Sequence, residues 1–299
     1  FDLFDYKLSG TLEYYDNKTI DLFIDYSLSL TSGFSSLQSN AGSMRNSGVE
    51  LDLNYTVINS DNFSLDLYGN FNYNKNEILD LGQVSEFESG TSIIREGLSL
   101  GSHYVVGWAG VNPANGEPLY YDGDGNVTNV FSDGNATANW GSSNPEYTGG
   151  YGLRGTLGNF DFSTLFTFAD EYYRFNNQSF FQENPNFSQF NLSTAMNTMW
   201  SQPGDVTEIQ SYLFPRQFSS KDIEDASFTK WRNLTVGYTL PSKFTSKTNF
   251  FESFRVYAQV QNLKTWTKFT GFDPEDDNNI AGYEYPMPTI YTVGLNIKF

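Results

Sequence analysis

The last nine residues of the chain alternate strictly between apolar and polar side chains, and this pattern constrains the fold more than any other feature. The odd positions from 291 to 299 are apolar, whereas the even positions between them are polar or glycine. A period of two is typical of a β-strand with one apolar and one polar face. Because chain ends fray unless neighbouring structure holds them, we expect both edges of this strand to be paired, as in a closed membrane barrel. Its apolar face, which would serve barrel closure and assembly, consists of Tyr291, Val293, Leu295, Ile297 and Phe299.

Alternation of the same kind predicts further strands along the chain. In the clearest of them, Val49, Leu51 and Leu53 are interleaved with Glu50 and Asp52. Clusters of Gly, Asn, Asp and Ser separate the alternating segments, as expected for turns and loops. The predicted fold class is therefore all-β, with a short piece of strand before a tight turn at 4–6 and eight strands at 7–26, 44–58, 62–78, 147–157, 160–168, 226–240, 253–265 and 288–299.

Long and short connections alternate between these strands. Long connections at about 27–43, 79–146, 170–225 and 266–287 alternate with shorter ones at 4–6, 59–62, 158–159 and 242–253. In an up-and-down meander, alternate connections lie at opposite ends of the sheet, so the long ones share one end. Outer-membrane barrels have short periplasmic turns and longer extracellular loops, whereas a soluble sheet has no reason to sort them. We therefore predict a transmembrane antiparallel up-and-down β-barrel with four long extracellular loops.

Composition supports this prediction and excludes several other classes. Aromatic residues make up 17% of the 299 residues although the mean hydropathy is only -0.45, which suits a barrel with lipid on one face and aromatic girdles at both interfaces. On composition alone, a secreted all-β domain is an equal alternative. The chain has no apolar run long enough for a membrane helix and no cysteine. A formal charge of -18 argues against a nucleic-acid partner.

Four sequence blocks resemble one family of membrane transporters. Segment 231–241 is WRNLTVGYTLP, which is similar to the R-x-x-N-x-T-x-G-Y-x-L-P strand of SusC/RagA-type TonB-dependent transporters, although Asn233 here follows Arg232 directly. Segment 46–50 (NSGVE) matches a further family element. Segment 255–275 contains RVY, QNL, TWT and GFDPE, and 285–299 joins YP to the closing GLNIKF. The blocks follow the family's order and extend over about 46–299.

The resemblance implies a barrel of twenty-two strands in the outer membrane of Bacteroidota-type bacteria, of which this chain would be about the last third. It implies a plug domain in the lumen, a SusD-like surface lipoprotein as a lid, and energy from the TonB complex through a plug segment that this chain lacks. Import of a glycan or a peptide is the implied function, and a dimer of transporter–lid pairs is compatible with it. Phe299 would then be the tail recognised by the outer-membrane assembly machinery. The alternatives are a barrel that is only a structural subunit of an outer-membrane assembly, and a stand-alone small porin or adhesin.

Aromatic residues of the two longest loops are the candidate substrate-binding residues. Flat aromatic faces stack on sugar rings, and mixed surfaces of aromatic and amide side chains also suit peptides. The alternative is that these side chains form the loops' own cores or the contact with a lid protein. The candidates are Tyr104, Trp108, Tyr120, Tyr121, Trp140, Tyr172, Tyr173 and Trp200, accompanied by Phe180 and Phe181.

Strand parity predicts a second class of residues, which face the lumen. If Val49 and Leu51 face lipid, the residues between them face inward. The predicted lumen-facing set is Glu50, Asp52, Arg255, Tyr257 and Gln259. By resemblance to the family, contact with the plug is favoured over contact with the substrate.

No group of residues predicts catalysis or a firm metal site. The chain has one histidine, His103, and no cysteine, so neither a nucleophile–base pair of these residues nor a histidine-rich metal site is available, and we expect no enzyme activity and no cofactor. Asp122, Asp124 and Asn126 have calcium-loop spacing, but Val127 replaces the expected glycine, so a simple Asp/Gly turn is the preferred interpretation. The acidic segment 273–277 is predicted to be a solvated loop.

Overall fold

One antiparallel sheet of nine strands dominates the structure, a computed structural model that describes residues 1–27, 30–34, 36–245, 250–275 and 280–299. Each strand pairs with its neighbours along the chain, which confirms the predicted all-β, up-and-down architecture. Within the described residues the sheet is open, because its two edge strands do not pair with each other. The strands are β1 (Asp2–Leu3), β2 (Leu8–Ser27), β3 (Ser36–Asn59), β4 (Phe63–Asp80), β5 (Tyr147–Leu157), β6 (Phe160–Asp170), β7 (Phe228–Thr239), β8 (Ser253–Thr267) and β9 (Ile290–Lys298).

The first long loop is shorter than predicted. The prediction placed a loop at 27–43, but β2 continues to Ser27 and β3 begins at Ser36; residues 28, 29 and 35 lie outside the described part. The ladder between β2 and β3 shifts register between Thr19 and Phe23, and this shift breaks the alternation of side chains. Backbone pairing needs no apolar pattern, so a segment rich in Ser, Gly and Asn continues the strand.

The other three long connections have the predicted position but not the predicted irregularity. They comprise residues 81–146, 171–227 and 268–289, and we call them together the loop assembly. Their short strands are Glu86–Ser89, Ser92–Arg95, Ser102–His103, Val105–Val106, Trp108–Val111, Pro118–Tyr121, Val127–Thr128, Ala136–Thr137, Tyr173–Asn176, Ile223–Asp225 and Ile280–Ala281. The described helices are α1 (Asn177–Gln182), α2 (Ser242–Thr245) and the 3-10 turns Leu30–Ser32, Asp133–Asn135, Pro185–Phe187, Thr194–Thr198 and Ser220–Asp222. None of the described helices is long and apolar enough to cross a bilayer.

The two faces of the sheet differ in chemistry. One, which we call the apolar face, carries large apolar side chains that are left exposed, such as Tyr14 (73%) and Val293 (80%). A row of side chains crosses this face in register from β2 to β5: Tyr14 pairs with Val49, Val49 with Tyr73 and Tyr73 with Tyr147. The other, polar face carries Glu, Asp, Asn, Arg and Tyr. Buried apolar clusters lie instead at the end of the sheet where the loop assembly begins, one of them formed by Ala169, Tyr172, Ala226, Phe228, Phe269 and Ala281.

Tyrosines on the polar face lie over glycines of the neighbouring strand. Tyr257 is the direct partner of Gly294, and a Cβ added to that glycine would collide with the tyrosine ring. Tyr15 and Gly48 repeat this arrangement between β2 and β3. Because glycine leaves the space above its Cα empty, each ring rests against the wall of the sheet instead of projecting away from it.

Candidate functional site

The loops at the end of the sheet opposite the short turns pack against one another. The Trp108 backbone N–H donates to Ser220 Oγ over 2.9 Å, and the Ser211 N–H donates to the Gly116 carbonyl over 3.0 Å. We number the loops of the assembly first (81–146), second (171–227) and third (268–289). Asn176 Nδ2 donates to Thr270 Oγ1 over 3.0 Å, which ties the third loop to the second. The loop assembly therefore forms one connected structure above the polar face.

Two of the predicted substrate-binding aromatics are buried. Tyr120 is only 1% exposed and lies edge-on between Trp108 and Phe131, with ring centroids 5.6 and 5.1 Å away. Tyr172 is 5% exposed in the cluster that also contains Phe228. With the loops in this arrangement, Tyr120 serves the core of a loop and cannot contact a ligand. Tyr172 is nearly buried but lines a cavity between the loops and the sheet, so a role in binding stays a prediction for it.

Three further candidates are half-buried in contacts between or within loops. The Trp200 ring covers Gly116, and its Nε1 donates to the Pro113 carbonyl over 3.1 Å. Tyr173 covers Gly141 in a similar way. Trp140 Nε1 donates to the Val105 carbonyl over 3.1 Å. These rings hold loops together, and a role in binding stays a prediction for them.

The remaining candidates have accessible surface. Tyr121 is 41% exposed. Trp108 is half-buried beneath the ammonium of Lys221, which lies 5.4 Å from the ring centroid, and Tyr104 packs against the Arg95 guanidinium at 5.6 Å. Cations over aromatic faces leave polar groups next to flat apolar surface. This combination suits a ligand with hydroxyl or amide groups.

His103 is a buried structural residue. Its side chain is 0% exposed, and its Nε2 lies 2.8 Å from the Tyr173 carbonyl, so Nε2 carries the proton and Nδ1 does not. No hydrogen-bond partner lies at Nδ1. Burial lowers the pKa of His103, although the hydrogen bond to Tyr173 acts in the opposite direction. The ring therefore joins two loops in its neutral form.

A buried ion-pair network in the second loop was not predicted from the sequence. Arg216 pairs with Asp222, which is 0% exposed, and with Glu183 at 3.5 Å. Lys221 lies 3.7 Å from the same Glu183 carboxylate, and burial lowers the pKa of Lys221 to about 8. Spacing along the sequence carries no sign of this network, because its members come together only through the fold of the loop.

A second group of charges attaches the third loop to the sheet, and we call it the charge clamp: Lys230, Arg232, Asp273 and Glu275. Lys230 Nζ lies 2.5 Å from Asp273 and 2.9 Å from Glu275, and Arg232 pairs with Glu275. The predicted solvated loop at 273–277 is therefore wrong for its first part, since these carboxylates have partners in the sheet; residues 276 and 277 lie outside the described part.

A β-bulge aims Arg232 at this clamp. Arg232 is the extra residue between Trp231 and Asn233 in the pairing of β7 with β6. Bulges re-aim side chains in this way. Here the Arg232 Nε donates to Thr167 Oγ1 over 2.7 Å, while its guanidinium reaches Glu275.

A cavity of about 530 Å³ opens where the loop assembly meets the sheet. Arg232 and Glu275 provide charge at its wall, and its other polar groups come from amide and hydroxyl side chains. The charged groups and the amide and hydroxyl groups include both hydrogen-bond donors and acceptors, which can bind the amides of a peptide or the hydroxyls of a sugar. The polar lining residues are Ser143, Asn144, Thr148, Thr167, Arg232 and Glu275.

The residues predicted to face the lumen lie on the polar face of the sheet. Glu50 and Asp52 line an open pocket of about 490 Å³ there. Arg255 donates to Asp161 through Nε over 2.8 Å, Tyr257 covers Gly294, and Gln259 pairs with Thr292 on β9. Their contact with a plug domain stays a prediction.

The candidate calcium loop forms a turn whose leading carboxylate is already engaged. Asp122 Oδ1 accepts hydrogen bonds from the backbone N–H groups of Asp124 (2.9 Å) and Asn126 (2.8 Å). The Asn126 bond holds the pKa of Asp122 below its usual value. In the described part of the chain, no three His, Asp or Glu side chains are arranged to hold a metal ion. The preferred Asp/Gly turn is what the structure contains, and calcium binding, the weaker candidate, stays untested.

The closing strand occupies the free edge of the sheet. Its residues from Ile290 to Lys298 pair with β8, as predicted for one of its two edges. The apolar face of β9 is exposed, and the Phe299 ring lies 5.4 Å from Phe250 and 5.7 Å from Phe251. An aromatic cluster at the short-turn end therefore holds the last residue.

Comparisons with known proteins agree with this architecture. A TonB-dependent receptor of Formosa agariphila (P3) is 29% identical over 342 residues, and SusC of Bacteroides thetaiotaomicron is 28% identical over 310 residues. These alignments cover 99% and 98% of this chain but only 33% and 30% of the relatives, so the chain spans about a third of their length. No family model matches the chain.

A solved structure of the RagAB peptide transporter superimposes with a TM-score of 0.93 at 30% identity, covering 100% of this chain and 34% of the transporter chain. The agreement includes the nine-stranded sheet and the loop assembly, since the whole chain is covered. Over its full length, the chain is thus similar in sequence to about a third of TonB-dependent receptors such as SusC, and similar in fold to about a third of a chain of the RagAB peptide transporter.

Proposed function

We propose that the protein imports a peptide or a glycan across the outer membrane by TonB-dependent transport, together with a SusD-like lipoprotein lid. One observation carries this proposal: a two-faced sheet has a connected loop assembly at one end and a polar cavity beneath it. The similarity to SusC and to a chain of the RagAB peptide transporter supports the same conclusion.

The dimensions of the apolar face fit a membrane. On β4 this face extends from Phe63 near the short-turn end to Tyr73 in the aromatic row, and charged side chains follow beyond it. The ten residue-to-residue steps from Phe63 to Tyr73 of a tilted strand span about 25 Å, the height of the apolar band in outer-membrane barrels. The polar face then lines the lumen, and the loop assembly lies outside the cell.

In the mechanism that we propose, the loop assembly and the lid capture the ligand together. Tyr121, Trp108 and Tyr104 offer accessible aromatic surface, and the cavity beside Arg232 offers hydrogen-bonding groups. Apolar side chains on the second loop, Tyr212 (65% exposed) and Leu213 (67% exposed), provide surface for the lid. Movement of a plug, driven by TonB, would then open the lumen along the polar face.

Uptake by intact cells tests this proposal. Deletion of the gene should abolish uptake of at least one class of labelled peptide or oligosaccharide, and the full-length gene should restore it. In the deletion strain, a Trp108→Ala, Tyr121→Ala double variant should reach normal amounts in the membrane but should not restore full uptake. Tyr212→Ser, a matched change on the second loop, should instead reduce retention of the lid. Unchanged growth of the deletion strain on every glycan and peptide source would contradict import, and loss of an outer-membrane assembly with intact uptake would instead indicate a structural subunit.

A further inference from the structure

Basic side chains gather on the apolar face just beyond the row Tyr14, Val49, Tyr73 and Tyr147. Lys75 lies two residues past Tyr73 on β4, and Lys18 and Arg45 lie one step further on β2 and β3. The strand pairing places them side by side, since Lys18 pairs with Arg45 and Ser47 pairs with Lys75. We call these three side chains the basic patch.

The patch is not neutralised by the protein. Arg45 pairs with Asp16, and Lys75 Nζ lies 3.1 Å from Glu77, while Lys18 has no ion pair within the described part of the chain. Three cations and two carboxylates leave a local charge of +1 in a chain whose formal charge is -18. Like charges placed directly across two strands destabilise a sheet; of the facing pair, Arg45 is bonded to Asp16 whereas Lys18 is exposed, so Lys18 is available to an added anion.

An apolar groove of about 450 Å³ lies below the patch on the same face. Gly69 leaves its floor open, and the groove is walled by apolar side chains of β3, β4 and β5: Leu51, Leu53, Tyr55, Leu67, Phe71 and Tyr151. Gly69 precedes Lys75 by six residues, so the two lie about 20 Å apart along β4. A strand tilt of about 40° reduces this distance to about 15 Å along the bilayer normal. One leaflet of a bilayer contributes about 15 Å of hydrocarbon, so the groove ends where the acyl chains of one leaflet end.

We propose that this face binds one phosphorylated, multiply acylated lipid of the outer leaflet, with its phosphate on Lys18, Arg45 and Lys75 and an acyl chain in the groove at Gly69. The inference rests on the proposed outer-membrane location but not on import. Charge complementarity selects the phosphate, because the patch supplies N–H donors and positive charge at the level where lipid headgroups lie. The groove selects the acyl chain, because it is apolar and reaches the depth of one leaflet.

The test uses the full-length transporter in phosphatidylcholine nanodiscs that contain lipid A, or the same lipid A with its phosphates enzymatically removed. Native mass spectrometry measures the lipid retained after transfer to mild detergent. We expect wild type to retain phosphorylated lipid A and the Lys18→Gln, Arg45→Gln, Lys75→Gln triple variant to retain about a hundredfold less, since three basic residues near a membrane surface contribute about 1 kcal/mol each and about 1.4 kcal/mol is a factor of ten. A Lys264→Gln, Lys268→Gln variant on and beyond β8 is the matched control and should retain it normally.

A second variant separates the two halves of the site. Gly69→Leu fills the groove and leaves the basic patch intact, so it should reduce retention of the acylated lipid while binding of a soluble phosphorylated headgroup fragment is unchanged. Heat-modifiable mobility on gels checks that each variant folds. Equal retention by wild type and the triple variant, or equal retention of lipid A with and without phosphates, would overturn the proposal. A triple variant that loses the lipid but transports normally would support the site and leave import unaffected, so the two proposals fail separately.

Discussion

The burial and bonding partners of individual side chains in the loop assembly depend on contacts that the sequence does not show. His103 is the clearest example: the sequence identified it as a lone histidine without a partner, and the structure places it between two loops with one bonded and one unbonded nitrogen. Tyr120, a candidate for binding, became a core residue because Trp108 and Phe131 enclose it. Such outcomes depend on residues far apart in the chain, so no local pattern predicts them.

Acidification should loosen the loop assembly through His103. Burial lowers the pKa of His103 below its value in the unfolded chain, about 6.5, so the folded state gains stability above that pH and loses it as the pH falls through the lowered pKa. Hydrogen exchange in residues 81–146 and 171–227, expressed relative to the intrinsic exchange rate at each pH, should therefore accelerate between pH 7.5 and pH 5. His103→Gln can still donate to the Tyr173 carbonyl but does not titrate, and an identical acceleration in this variant would refute the prediction.

Strands were predictable where side chains alternate and were missed where they do not. The segment from Val49 to Val57 was identified because lipid on one face and polar groups on the other impose alternation. The extension of β3 back to Ser36 was missed because backbone pairing holds it without such a pattern. The pairing of Tyr257 with Gly294 also escaped prediction, since it requires knowledge of the register between β8 and β9.

A side chain at position 294 should destabilise the last two strands. In Gly294→Val the new Cβ meets the Tyr257 ring, and overpacking of this kind costs about 1–3 kcal/mol. Thermal unfolding in detergent, followed by gel mobility, should show a lower midpoint. Thr292→Val, two residues away on the same face and opposite Gln259, is the control and should change the midpoint little. Equal midpoints for both variants would show that the ring moves aside freely.

Removal of Phe299 should reduce assembly and leave ligand affinity unchanged. Its ring packs on Phe250 and Phe251 at the short-turn end, far from the loop assembly, and the family resemblance assigns it to recognition during assembly. The measurement is the amount of full-length protein in isolated outer membranes, with Phe299→Tyr as the conservative control. Normal membrane levels of the truncated protein would refute the assignment.

At the scale of the whole molecule, the charge clamp joins the loop assembly to the sheet. Fold class and strand order followed from alternation and loop lengths, whereas the folding of three long connections into one structure did not. The charge clamp shows why the packing of these connections was not predictable. Lys230 and Arg232 come from β7, and Asp273 and Glu275 lie more than forty residues later. Charges at such a separation give no periodic signal.

Asp273→Asn should release the third loop from the sheet. Lys230 is nearly buried and would lose one of its two carboxylates, which costs about 1–3 kcal/mol. Burial raises the pKa of Asp273, but hydrogen bonds from Lys230 and from backbone N–H groups outweigh it and lower the pKa, so this stabilisation is present above about pH 4 and is lost below it. Hydrogen exchange within 268–275 and 280–289 measures the release. Lys230→Met combined with Asp273→Asn should exchange more slowly than Asp273→Asn alone, and the reverse order would contradict a buried ion pair.

The unequal lengths of the strands have a mechanical consequence. β2 and β3 continue as a paired ladder well past the row of Tyr14 and Tyr73, whereas β5 and β6 stop near that level and the loop assembly begins. A hydrogen-bonded ladder is stiff, while loops held by a few side-chain contacts are compliant. The rim of the sheet is therefore rigid at β2 and β3 and more deformable where the loop assembly begins. Widening of the entrance would therefore occur mainly at the ends of β4 to β7, while the long pair of strands β2 and β3 would stay in place.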